Sequence, residues 1–207
     1  MPYVPGCHHD IFVSYAGENN RDGWVRQFVE RLGSQLEEQL GRRRFSPDRS
    51  IYFDQRELRA GDDFPTELEQ AARHSGLRIP VFSQGYLVSP WCEQGRIAFQ
   101  TWLPEGATLP DCLAPVQIRP PQGPFPDELG PDRTNIFSFQ ENNRPVPVGS
   151  QDWETRLNTF ADQVTKKLQT LRLRHKAAYV GRSPAPYVPL RERVCTSLET
   201  SSFRTTA

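Results

Sequence analysis

The chain has 207 residues, room for one full domain and an appendage but not for two complete domains. Its residues are 36% hydrophobic, with 12 Phe and 4 Trp, enough for a core, whereas 24% charged residues and a mean hydropathy of -0.65 imply a well-hydrated surface. The 25 basic residues balance 25 acidic ones, so no net field draws the molecule onto nucleic acid or an anionic membrane, and no apolar run approaches the roughly 18 residues a membrane span requires.

Ile11, Phe12 and Val13 form a short apolar run closed by Ser14, Tyr15 and Ala16, the pattern of a strand buried on both faces and released into a loop. After a polar segment, apolar residues at 24, 25, 28, 29, 32, 36 and 40 keep one face of a helix inward until Gly41. Ser50 to Phe53 is a second strand, followed from Asp54 by a charged loop that contains Gly61. Asp63 and Pro65 suit a helix start, with Leu68, Ala71 and Ala72 as its inner face. Leu77 to Ser83 is expected as a third strand, although Pro80 removes a ladder donor there. A helix from near Ser89 carries Trp91, Ile97, Ala98, Phe99 and Trp102.

Pro115 to Ile118 and Ile136 to Phe139 are two further strand candidates, separated by a proline-rich loop. Trp153, Leu157, Phe160, Val164, Leu168 and Leu171 then mark an amphipathic helix. Strands alternating with helices imply an α/β fold with parallel pairing, and ligands of such sheets bind beyond the carboxyl ends of the strands. The loops after Val13, Phe53 and Phe82 therefore share one working edge, around Ser14, Asp54 and Trp91.

Residues 1–8 are expected to be a tail, 9–172 the domain, and 173–207 a linker with the truncated start of a second domain, because an apolar run at Ala177–Val180, a proline-rich loop and one helical face at Leu190, Val194 and Leu198 cannot bury a core alone. Cysteines at 7, 92, 112 and 195 form no C-x-x-C pair, and the N-terminus lacks a signal-peptide core, which points to a reducing, cytoplasmic setting. Cys92 reads as a buried small hydrophobe rather than a nucleophile. His8 and His9 adjoin, but no third ligand has metal-site spacing, so no metal is expected.

The runs HDIFVSYAGEN, SIYFDQRELRAGDDFPTELEQAARHS and PVFSQGYLVSPWCEQGRIAF occur in order and at ordinary loop distances. Together they resemble the Toll/interleukin-1 receptor (TIR) domain, particularly its bacterial members, over residues 9 to about 172. The resemblance implies a flavodoxin-like fold with a five-stranded parallel sheet. It also implies one or both of two activities: self-association in signalling and antiviral defence assemblies, and cleavage of NAD+ between nicotinamide and ribose, giving ADP-ribose or its cyclic form. NAD+ would be substrate or ligand, with no further cofactor, and a C-terminal sensor domain would be an expected companion.

Breaking that bond develops positive charge on the ribose, so a carboxylate is the natural catalyst. The family's glutamate stands four residues after the tryptophan, and here that position after Trp91 is Gly95. Glu93 is a candidate substitute, but at about 100° per residue it is turned roughly 160° away from position 95. Cleavage is therefore expected to be weak or lost. The alternative is an active NAD+ glycohydrolase completed by Glu93, or by Glu18 or Asp22 across an interface.

By resemblance, Ser14, Ala16, Gly17, Asp54, Arg56, Ser83 and Trp91 line the NAD+ site, and Arg59, Ala60, Gly61 and Asp62 belong to a loop that joins one domain to another. Structural roles compete with these: Trp91 as a core aromatic, Ser14 as a strand-end hydroxyl satisfied by backbone, Asp54 as a cap or ion-pair partner, and the loop charges as solvated surface.

Overall fold

The computed structural model describes residues 2–41, 50–53, 66–103, 107–123, 125 and 135–178, with side chains as far as 174. Strands β1 (His9–Tyr15), β2 (Ile51–Phe53), β3 (Ser75–Phe82), β4 (Val116–Gln117) and β5 (Phe137–Ser138) form one sheet in the order β2-β1-β3-β4-β5. All of its pairings are parallel. This is the expected α/β architecture.

The order also fixes where the helices lie. The β1-to-β2 and β2-to-β3 connections cross the sheet in opposite directions, so right-handed crossovers place α1 (Trp24–Gln39) and α2 (Thr66–Arg73) on opposite faces. The long α5 (Gln151–Ala178) joins α1, with the Phe28 ring 5.8 Å from Phe160 and 5.4 Å from Phe139. On the other face α4 (Pro90–Gln100) packs against α2.

Pro80 is accommodated in a central strand by a gap in the pairing. β3 and β4 touch at an isolated bridge between Arg78 and Leu113, and their ladder resumes only at Val81 opposite Val116. The missing amide hydrogen falls within that gap, so no ladder bond is lost to it. On the other side, β3 stays in register with β1 from His9 opposite Ser75 to Tyr15 opposite Val81, so the strand begins earlier than the apolar run at Leu77 suggests.

Two elements were not anticipated by periodicity. A short helix α3 (Gln84–Val88) follows β3, started by the Ser83 side chain, which accepts from Tyr86 N. A hairpin of β6 (Gln140–Glu141) and β7 (Arg144–Pro145) follows β5, turning through Asn142 and Asn143 at φ 48° and 62°. Asparagine tolerates that left-handed region, and such turns match the twist of a tight hairpin. Helix α5 continues past Arg172 to Ala178, so Ala177 and Ala178 end a helix instead of opening an apolar strand. The tail from 179 onward, the Asp63 cap and Pro65 lie outside the described residues. Among the described residues no helix is long and apolar enough to cross a membrane.

Candidate functional site

Side chains alternate along a strand, so Phe12 and Ser14 of β1 face α4 while Ile11 and Val13 face the opposite way. Helix α4 is aimed at them by its first turn: Ser89 Oγ accepts from Cys92 N at 3.4 Å, and Pro90 occupies the first helical position, where its missing N–H loses nothing. Trp91 is half-buried in that turn, and Cys92 and Gly95 are buried. A Cβ on Gly95 would lie 3.6 Å from the Phe12 ring and 4.0 Å from Ser14 Oγ, ordinary contact distances. Position 95 therefore looks directly at Ser14.

Glu93 does not. Its carboxylate accepts from Arg96 Nε at 2.9 Å, with Arg96 Nη2 as a second donor, and the side chain is 53% exposed. The bond from Arg96 holds the carboxyl below its ordinary range. The two glutamyl-length reaches thus diverge as helical geometry requires, one inward from position 95 and one to solvent from position 93.

Beneath Gly95 the sheet carries a buried polar cluster. Ser14 Oγ donates to the Tyr86 hydroxyl at 3.4 Å, and Arg78 Nη2 donates to the same oxygen. Ser83 Oγ accepts from Tyr86 N at 3.2 Å and from Asn19 Nδ2 at 2.9 Å, tying α3 to the loop after β1. Ser14, Asn19, Ser83 and Tyr86 are buried, and Arg78 is 0% exposed. Burying a guanidinium is expensive unless hydrogen bonds replace its water, and the Tyr86 hydroxyl supplies one of them. Burial pushes the Cys92 thiol up to about 11, against the thiolate a nucleophile requires.

A carboxylate also reaches this region from the first loop. Glu18 lies directly over the Cα of Gly85 in the first turn of α3, in space that a side chain at 85 would occupy. A side chain at 85 would displace the flexible, exposed Glu18 side chain, which is set down beside α3 of its own chain.

Of the other expected site residues, Ala16 is buried and Gly17 exposed, at the start of a 3-10 turn over Gly17–Asn20. Asp54 and Arg56 in the second loop, and the contact-loop residues Arg59, Ala60, Gly61 and Asp62, lie outside the described residues. His8 and His9 point to different neighbours: the His8 ring stacks on His74 at 4.6 Å, and His9 lies 5.2 Å from Tyr52. Among the described residues no group of His, Cys, Asp and Glu could hold a metal ion.

Arg78, Tyr86 and Asn19 are central to the cluster but escaped the reading of the sequence. A signal existed for Arg78, since a charged residue inside the apolar run LRIPVF has to be paid for by a partner. Tyr86 and Asn19 gave none, because their importance comes from contacts across 72 and 64 residues of chain.

The family model described as the TIR domain matches residues 11–146. Among solved structures, the chain is similar to the TIR domain of the Toll-related receptor TRR-2 from the lower metazoan Hydra magnipapillata. That similarity is 14% identity over 78% of this chain and 98% of the other, with a TM-score of 0.46. It is also similar to the TIR domains of the activated Roq1 resistosome, which directly recognises the pathogen effector XopQ, at 18% identity over 81% and 84% of the two chains, with a TM-score of 0.36.

Proposed function

Taking as its premise that the chain belongs to the TIR domain family, we propose that it is a bacterial signalling and defence module. It holds NAD+ at the edge formed by Ser14, Ala16, Gly17, Asp54, Arg56, Ser83 and Trp91, associates with its own kind through the loop at Arg59–Asp62, and cleaves NAD+ weakly or not at all. The observation that carries this reading is the direction of position 95. A side chain there would approach Ser14 Oγ, yet the residue is glycine, while Glu93 is turned outward onto Arg96. Without an inward carboxylate at 95, nothing from α4 offsets the positive charge that develops on the ribose as nicotinamide leaves. The guanidinium of Arg78, two hydrogen bonds away through Tyr86 and Ser14, adds charge of the wrong sign for that transition state.

The test is turnover of a fluorogenic etheno-NAD analogue by the purified chain and by Gly95→Glu. The parent should stay near the buffer rate and the variant should gain orders of magnitude. Strong turnover by the parent would refute the inactive reading, and no gain in a folded Gly95→Glu would refute the site.

One observation favours the alternative, an active glycohydrolase. Glu18 already sits against α3 within its own chain, without help from a neighbour. If it is the acid, Glu18→Gln abolishes whatever turnover the parent has. Gly85→Ala should reproduce that loss, because its methyl group displaces the flexible Glu18 side chain while leaving the carboxylate chemically intact.

A further inference from the structure

A second, differently charged recess opens on the α1 face of the sheet, where the first turn of α1 meets the β6–β7 hairpin. It is a cleft of about 670 Å³ that contains none of the residues placed above at the NAD+ edge, although Asp22, the candidate acid across an interface, stands on its wall. From its walls we infer that it is a binding site for a nucleoside diphosphate, or a ligand of that chemistry: two adjacent phosphate charges on a compact organic body.

The charge comes from two guanidiniums delivered by separate strand ends. Arg119 follows β4 and Arg144 opens β7, and both line the cleft. Among the described residues neither side chain is joined to a carboxylate, unlike Arg31, Arg73, Arg96, Arg156 and Arg174, which all are. Asp22 is the one carboxylate on the wall; its Oδ1 accepts from Trp24 N at 3.0 Å, so it is held at the start of α1, and the two guanidiniums outweigh its single charge. Two arginines lining one cleft suit an anion with several oxygens, such as a diphosphate, better than a single carboxylate.

The body of the ligand is suggested by the remaining walls. Gln27 and Asn143 offer side-chain amides that can pair with a base or a ribose, and the Pro145–Val148 segment adds some apolar surface to a wall that is otherwise mostly polar. The cleft is also preformed. Trp24 Nε1 donates to Val146 O at 3.2 Å and Val146 N donates to Phe139 O at 2.9 Å, so the hairpin is tied both to α1 and to the sheet.

Calorimetric titration of the full chain with ADP, pyrophosphate and adenosine, repeated on the Arg119→Ala/Arg144→Ala double variant, decides the matter. Both arginines are exposed, and circular dichroism confirms that the variant is folded. The inference expects ADP to bind more tightly than pyrophosphate, adenosine to bind far more weakly, and the double variant to lose about tenfold or more in ADP affinity. No ADP binding at millimolar concentration overturns it. ADP affinity unchanged in the double variant also overturns it, by assigning the nucleotide to another surface. Pyrophosphate binding as tightly as ADP overturns the nucleoside part. The outcome is independent of NAD+ cleavage, because it is read as binding alone and the two substituted arginines lie outside the NAD+ edge.

Discussion

The two faces of the central sheet are built on different principles. On the α1 and α5 side, Trp24, Phe28, Phe137, Phe139 and Phe160 meet ring against ring at 5.3 to 6.0 Å. On the α2 and α4 side, the layer under Gly95 is Ser14, Arg78 and Tyr86 joined by hydrogen bonds. Apolar contacts are nondirectional and tolerate substitution of similar shapes, whereas a buried polar cluster works only while every member is satisfied. Both faces bury apolar side chains, Phe12, Leu68, Ala72 and Phe99 among them on the α2 and α4 side, but that side also carries the hydrogen-bonded cluster, and the candidate chemistry resides there.

The largest expected effect comes from breaking the aromatic face. Phe28→Ala should destabilise the fold by about 3–5 kcal/mol in urea unfolding, through the cavity it leaves between α1 and α5, while leaving the affinity of the folded protein for an NAD+ analogue unchanged. Arg78→Met tests the polar face. Loss of the guanidinium leaves the Tyr86 hydroxyl short of a donor, at about 1–3 kcal/mol, and ligand affinity should change as well. A gain in stability instead would mean that the buried cation is kept for function at the expense of the fold, as replacement of buried charge by apolar packing sometimes reveals.

Ser83→Ala should cost about 1 kcal/mol, since it removes both the start of α3 and the acceptor for Asn19. Gly95→Ala should have the opposite sign, a gain of roughly 0.5–1 kcal/mol from lower chain entropy in the unfolded state, because the added methyl meets Phe12 and Ser14 at ordinary distances. Destabilisation in that variant would show that α4 sits closer to β1 than these contacts allow.

The smallest effect is a pH dependence at the amino-terminal end of the polar face. Burial, then His8, then Arg73 hold the His74 proton less tightly than in the unfolded chain, whose value is 6.5. Its contribution is therefore complete above about 6.5 and declines as the pH falls below that. Thermal melts of the parent should weaken there, and His74→Gln should flatten the slope. Asp111, held down to about 2 chiefly by the Thr108 hydroxyl, then by Thr108 N and Arg174, contributes above 3.8 and is lost only as the pH drops from there towards 2, so the two windows separate.

Reading the sequence located the strands well where burial on both faces made continuous apolar runs, as at Ile11–Val13, and the helices where a single apolar stripe persisted, as from Trp153 to Leu171. It also placed position 95 inward and Glu93 outward, because the helical repeat is a local property. It missed α3, whose five residues are too few to show a period, and the Asn142–Asn143 hairpin, which depends on two left-handed residues rather than on any apolar pattern.

Local periodicity and the three ordered motifs thus determined by themselves the parallel α/β fold and the family, and they proposed the edge around Ser14, Asp54 and Trp91. Only the tertiary structure decided what lies beneath Gly95. Arg78 and Ser14 come together under it because β3 lies in register beside β1, and Tyr86 joins them because α3 folds back over the strand end it follows. The cleft at Arg119 and Arg144 has the same origin, since its walls come from α1, the end of β4 and a hairpin after β5. A hydrogen-bonded cluster or a cleft depends on distances between segments remote in sequence, and those distances are set by sheet order and packing rather than by the neighbours of any one residue.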